Sequence, residues 1–169
     1  GELPRGFSET ADWLRMVGRL YGKTAEAEQV IAEKQLQYRN QIDALKPLYK
    51  NKKVLFFLNN KIIDWIFELS RDLDWNVVDS ILIGSKEDRT IDWRHQFSKD
   101  WDGNLESLKK SIAEKKPDLI ILNHSIAQAC IPADIFTANL SRDVGSGFFA
   151  GTECALRWSQ LFENSLEGR

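Results

Sequence analysis

The stretch Lys116-Pro117-Asp118-Leu119-Ile120-Ile121-Leu122-Asn123-His124-Ser125 decides how this chain is read. Leu119 to Leu122 is a short, unbroken apolar run. Pro-Asp stands before it and Asn-His after it, so both ends carry breaker or turn residues. A run without polar alternation fits a parallel strand covered on both faces. The proline stops whatever helix precedes the strand. In parallel α/β sheets, ligands settle beyond the carboxyl ends of the strands, which gives Asn123 and His124 the favoured address for a site. Downstream, Ile126 to Cys130 reads as a short helix and Ile131 to Phe136 as a weak strand.

Upstream the same alternation holds. Lys52-Lys53 lead into Val54-Leu55-Phe56-Phe57-Leu58, the longest apolar run in the chain, and Asn59-Asn60 close it. Residues 61–73 place Ile62, Ile63, Ile66, Leu69 and Leu73 on one helical face. Val77 to Ile83 reads as a second strand. Residues 84–103 form a long polar loop that still holds Trp93, His95, Phe97 and Trp101. Loops of this length are functional or disordered as a class, and these aromatics favour docking at an interface. Asn104 can cap a helix with Leu105, Leu108 and Ile112 inward. A last helix puts Leu156, Leu161 and Phe162 in the core after a loop over residues 137–151.

The first fifty residues are helical in pattern. Trp13, Leu14, Val17 and Leu20 recur at helical spacing before Gly22. Thr24 is placed to cap a second helix whose apolar stripe is Ala27, Ile31, Tyr38, Ile42, Leu45 and Tyr49, about seven turns long. Pro47 ends or kinks that helix. Glu33, Lys34, Arg39 and Asp43 read as a solvated face. Trp13, Trp65 and Trp158 fall in helical segments as core residues. These elements predict a Rossmann-like or flavodoxin-like parallel α/β sheet with helices on both faces, over residues 52–169. A long helical lead-in, residues 1–51, packs on it.

The 169 residues suffice for a real core, and 43% hydrophobic with 28% charged residues describes an ordinary globular protein. A net charge of −2 from 23 basic and 25 acidic residues argues against a nucleic-acid partner. No apolar run approaches the ~20 residues of a membrane span, and the N-terminus lacks a signal-peptide pattern, so the expectation is a cytoplasmic protein with no membrane partner. Cys130 and Cys154 match no zinc or ferredoxin spacing and suit buried small hydrophobes. A metal site built from Cys130, Cys154 and His124 is the minor alternative. His95 and His124 are the only histidines, and neither has a catalytic partner at close spacing. No P-loop, nucleophile elbow or His-Glu-x-x-His is present. Gly145-Ser146-Gly147-Phe148-Phe149-Ala150-Gly151 has the wrong spacing and position for a dinucleotide fingerprint.

Several segments together carry a family resemblance. Leu45-Lys46-Pro47-Leu48-Tyr49 and Asn51-Lys52-Lys53 running into Val54–Leu58 resemble a helix, turn and strand of nitrogenase component 1 proteins. Asp88-Arg89-Thr90 is a weaker echo. Lys116-Pro117-Asp118-Leu119-Ile120, then Ile131-Pro132, is similar to the last Rossmann-like unit of that family. So is Gly147-Phe148-Phe149-Ala150-Gly151-Thr152-Glu153-Cys154-Ala155-Leu156-Arg157. The likeness covers roughly residues 3 to 165.

The family includes nitrogenase catalytic subunits, cofactor-assembly scaffolds and dark-operative protochlorophyllide and related tetrapyrrole reductases. The resemblance implies a paired homologous subunit and an ATP-dependent iron protein as partners. It also implies an iron-sulfur or related cluster in the full-length family, held by cysteines of an N-terminal part. This chain is expected to be the C-terminal portion, with no cofactor of its own, no activity alone and a tendency to self-associate. Asn59-Asn60 stand where the family's catalytic subunits carry a glycine pair beside the cofactor, and residues 137–139 hold no histidine where that subunit has its cofactor ligand. A standard iron–molybdenum site is therefore not expected. Asn59, Asn60, Asn123, His124 and Asn139 are the expected cleft lining, and Trp93, His95 and Trp101 the interface candidates; no catalytic residue is assigned. The alternative is a stand-alone flavodoxin-like module for a ligand or a protein partner.

Overall fold

The computed structural model describes residues 3–59, 64–83, 99–100, 105–123, 131–140 and 145–167, with Asn59, Leu82, Ile83, Lys99, Asp100 and residues 161–167 described by backbone alone. Among the described residues the elements are, in order, α1 (Phe7–Leu20), α2 (Thr24–Tyr49), β1 (Lys53–Asn59), α3 (Asp64–Asp72), β2 (Asn76–Ile83), β3 (Lys99–Asp100), α4 (Leu105–Lys115), β4 (Leu119–Leu122), β5 (Phe136–Asn139) and α5 (Ala150–Glu167). The chain divides into two compact units. One comprises Gly1–Lys50, Trp65–Asp74 and Val144–Arg169, and the other Asn51–Asp64 and Trp75–Asp143. Helices α1, α2 and α5 and nearly all of α3 fall in the first of these units.

The second unit is built on a five-stranded parallel sheet in the order β3-β2-β1-β4-β5. This is a mixed α/β, Rossmann-like sheet. Val54 to Leu58 of β1 and Leu119 to Leu122 of β4 are all 0% exposed, as expected of central strands in a parallel sheet. Alternate residues Leu55, Phe57, Ile120 and Leu122 pack with Ile81 against Leu108 and Ile112 of α4. A bulge lets Val54 pair with Val77 and Leu55 with Asp79. It leaves Asp79 buried, where its carboxylate accepts bonds from the hydroxyl of Ser111 on α4 and from the Ser80 N–H at 3.0 Å. A buried carboxylate survives only with such partners. Lys116 takes a left-handed backbone (φ 48°), and Pro117 completes the stop, so α4 ends abruptly before β4.

Three readings of strands and helices need correction here. β5 begins at Phe136 rather than ending there, because Ile131–Ile135 are used in a turn closed by Ile135 N–H to Pro132 O at 3.1 Å. Strand β5 therefore occupies part of the expected loop 137–151. Lys99–Asp100 form a short edge strand on Ile81 and Leu82 inside the expected loop 84–103; two residues are too few to show periodicity. Thr24 is the first residue of α2, not its cap, and Lys23 precedes it without a side-chain cap bond.

In the helical unit, α2 buries the whole predicted stripe, Ala27, Ile31, Tyr38, Ile42, Leu45 and Tyr49. Pro47 sits in its last turn without breaking it. The Tyr49 hydroxyl donates to Ala155 O of α5 at 2.5 Å, and Thr152 of α5 bonds Gln41. The Tyr38 hydroxyl donates to Asp72 Oδ2 of α3 at 2.7 Å. Burial first, and then the neighbouring negative charges, push the Tyr38 hydroxyl far up from its ordinary value; burial and Cys154 do the same for Tyr49.

Helix α1 is rotated from the face expected, with Leu14 and Val17 half-buried. Its buried residues are Thr10, Ala11 and Gly18, while Trp13 is 45% and Leu20 76% exposed. Small residues win because the helices approach closely: a Cβ on Gly18 would lie 2.7 Å from that of Ala27. On α5 the buried face is Cys154, Ala155 and Trp158, leaving Leu156 at 48% exposure and outside the core. Trp65 is buried as expected. The side chains of Leu161 and Phe162 lie outside the described residues.

The start of α1 is capped from α3. Glu68 accepts the Phe7 N–H at 3.1 Å, the Ser8 N–H at 3.1 Å and the Ser8 hydroxyl. A carboxylate suits the positive end of a helix. Gly6, at φ 78°, makes the approach possible, since a Cβ there would sit 2.6 Å from Trp65 Cβ.

Gly6→Ala is expected to cost about 1–3 kcal/mol, combining backbone strain with the Trp65 clash. Gly22→Ala, at φ 66° with nothing within 4 Å of the added Cβ, should cost less. Urea titration of both variants checks the order; equal losses would refute the close-approach account. The tyrosines give a pH expectation with a definite sign. Both hydroxyls ionise near pH ~10 when unfolded and later when folded, so their stabilisation is complete below that pH and is lost as pH rises above it. Thermal melts above pH ~10 should fall less steeply for the Tyr38→Phe, Tyr49→Phe double variant.

Candidate functional site

Strand order places a switch point between β1 and β4. From β1 the chain steps outward to β2 and β3, then returns to β4 on the other side of β1. The strand that follows β1 in sequence lies on one side of it and β4 lies on the other, and in such sheets ligands bind beyond the carboxyl ends at a point of this kind. Asn59 ends β1, Asn123 follows β4 directly and Asn139 ends β5. Phe57 pairs with Leu122, and Leu122 with Asn139, so these three positions lie along one edge of adjacent strands. Asn123 and Asn139 are half-buried.

Register at this edge is set from the other end. The Lys53 N–H donates to Asp118 Oδ2 at 2.8 Å, and the Asp118 N–H donates to Lys53 O at 2.9 Å. This reciprocal pair joins the first residue of β1 to the residue before β4. It admits one register for the strands, and thereby fixes how Asn59 and Asn123 are staggered.

The chemistry of the edge follows from its residues. An amide offers donors and an acceptor but neither gains nor loses a proton in the working pH range. Asn123 and Asn139 can orient a polar ligand and have no means of acid–base work. Of the other expected site residues, Asn60 and His124 lie outside the described residues, as do Trp93, His95, Trp101 and Cys130. Among the described residues no group of three His, Cys, Asp or Glu side chains could hold a metal ion. Cys154 is fully buried on α5, with Arg157 Nη2 3.5 Å from its sulfur. The described part of the chain thus offers no donor set that fits an iron-sulfur cluster. Among the described residues no helix is long and apolar enough to cross a membrane.

Sequence reasoning passed over a second concavity. The helical unit has a cavity of about 530 Å³ walled by α2 and α3, which bring Arg39 and Arg71 to it. The only signal was an arginine on each of two amphipathic helices, a pattern shared by any solvated face.

Comparison with known proteins bears on the family and the fold. A family model described as nitrogenase component 1 type oxidoreductase matches residues 1–140. No curated protein sequence matches the chain. The solved structure "Nitrogenase Cp1 at pH 6.5" superposes with a TM-score of 0.59 at 14% identity, covering 97% of this chain and 43% of that one. At that identity the likeness establishes the fold. The chain spans less than half the length of the structure it matches.

If Asp118 sets the β1–β4 register, Asp118→Ala should cost about 0.5–1.5 kcal/mol. It should also speed amide exchange at the start of β1, with Asp118→Asn milder. Urea unfolding with hydrogen exchange tests this, and unchanged exchange at Val54 would count against the clamp.

Proposed function

The chain belongs to the nitrogenase component 1 type oxidoreductase family, and on that footing we propose that it is a C-terminal Rossmann-like portion of a nitrogenase-like reductase subunit. In this reading it lends one wall of a cofactor or substrate cleft and part of a subunit interface, and does not turn over substrate alone. The observation that carries the reading is the row of asparagines at the β1–β4 switch point, Asn59, Asn123 and Asn139, where ligands of such sheets bind. Asn60 and His124, adjoining them in sequence, complete the proposed lining. Amides of this kind hold and orient a ligand, so proton or electron supply falls to other parts of the assembly. The cluster, a paired homologous subunit and an ATP-dependent iron protein belong to that larger assembly. Trp93, His95 and Trp101 are the proposed interface residues. The 43% coverage of the matched nitrogenase chain supports a portion rather than a whole subunit.

The stand-alone reading rests on the same switch point, because a flavodoxin-like module would bind its ligand there without any second subunit. Native size separates the two. An immunoblot of the source cells against this chain, with anaerobic isolation of its native complex, is expected to show a polypeptide well above 19.4 kDa accompanied by a homologous subunit. A native product of 19.4 kDa without such a subunit would overturn the first reading in favour of the second.

A further inference from the structure

The helical unit carries a polar cavity that the reading above leaves unused. It measures about 530 Å³, within the range of small-molecule sites, and is bounded by α2, α3 and the first residues of α1. Tyr38 and Ile42 contribute buried surface, and the ring of Phe7 stacks on Tyr38 at 5.1 Å. Six charged side chains line it, three of each sign.

Their engagements break that symmetry. Glu68 is spent on the N-terminus of α1. Asp72 receives the Tyr38 hydroxyl. Lys46 reaches Asp74 at 3.2 Å, outside the cavity lining. Arg39, Arg71 and Asp43 have no hydrogen bond or ion pair among the described residues. Arg39 and Asp43 stand four apart on α2, a spacing at which such a pair commonly closes, yet they do not. Two uncommitted guanidiniums, one from each wall, therefore face one uncommitted carboxylate. A guanidinium stays charged at any working pH and offers a planar fork of donors that matches a carboxylate or phosphate group.

We propose that this cavity binds a small organic or inorganic oxyanion, held between Arg39 of α2 and Arg71 of α3, with Phe7 and Ile42 against any apolar stem. Asp43 selects against bulkier or more highly charged anions at the same mouth. The inference rests on the cavity alone and stands or falls separately from the family reading.

Citrate and inorganic phosphate, titrated separately into the full chain by calorimetry at matched ionic strength, distinguish a carboxylate ligand from a phosphate one. One saturable site is expected for at least one probe. Arg39→Gln and Arg71→Gln should each weaken it by about tenfold or more, and Asp43→Asn should tighten it. Lys110→Gln, on α4, should leave it unchanged. Circular dichroism of each variant confirms that the helices persist. No saturable binding of either probe, or binding that survives both arginine changes, would overturn the proposal.

Discussion

The β1–β4 pairing is the constraint from which the sheet unit follows. Both strands are wholly buried, so a slip of one residue would reverse the faces presented by Leu55, Phe57, Ile120 and Leu122 and empty the contact with Leu108 and Ile112. Apolar side chains alone discriminate poorly between registers here, because these strands are apolar on both faces. The backbone and carboxylate bonds between Lys53 and Asp118 remove that ambiguity at a position where water can reach the pair. Pro117 and the left-handed Lys116 deliver Asp118 to that position from the end of α4. A helix stop, a strand start and a register lock are thus compressed into three consecutive residues.

The helical unit solves a different problem. A helix of 26 residues with a narrow apolar stripe gains little on its own and holds its length only by packing along it. Two of the stripe residues are tyrosines, whose hydroxyls would be costly to bury unpaired. Each is satisfied by a different neighbour, Tyr38 by α3 and Tyr49 by α5, so the polar groups also dictate which helix lies where along α2. Glu68 extends the same logic to α1, replacing a local cap with one from α3 and tying the first helix to the rest of the unit.

What could be read in the sequence divides along physical lines. The parallel sheet, its central strands and the α2 stripe were legible because continuous apolar runs and helical periodicity are local signals. The α1 interface was not: close packing at Gly18 and Ala27 favours small residues, whereas the pattern of bulk pointed to Trp13 and Leu20. Strand β5 was displaced because Ile131 and Ile135 looked like strand residues but serve as partly buried packing against the α4 cluster. For the proposed site, the strand-end positions of Asn59, Asn123 and Asn139 could be read from the sequence because they follow from where the apolar runs stop. Arg39 and Arg71 were invisible because their meaning lies in which neighbouring charges are already engaged, and Glu68, Asp72 and Lys46 acquire their partners only in three dimensions.

The two proposed sites would take different ligands. At the sheet edge the described groups are neutral amides, so a ligand proposed there would be held by direction rather than charge, and its affinity should depend weakly on salt. In the helical cavity two of the three uncommitted side chains are guanidiniums, and affinity for an oxyanion should fall with ionic strength as the interaction is screened. Among the described residues the sheet edge presents amides without an acid or a base, whereas the helical cavity holds the uncommitted carboxylate of Asp43 beside its two arginines.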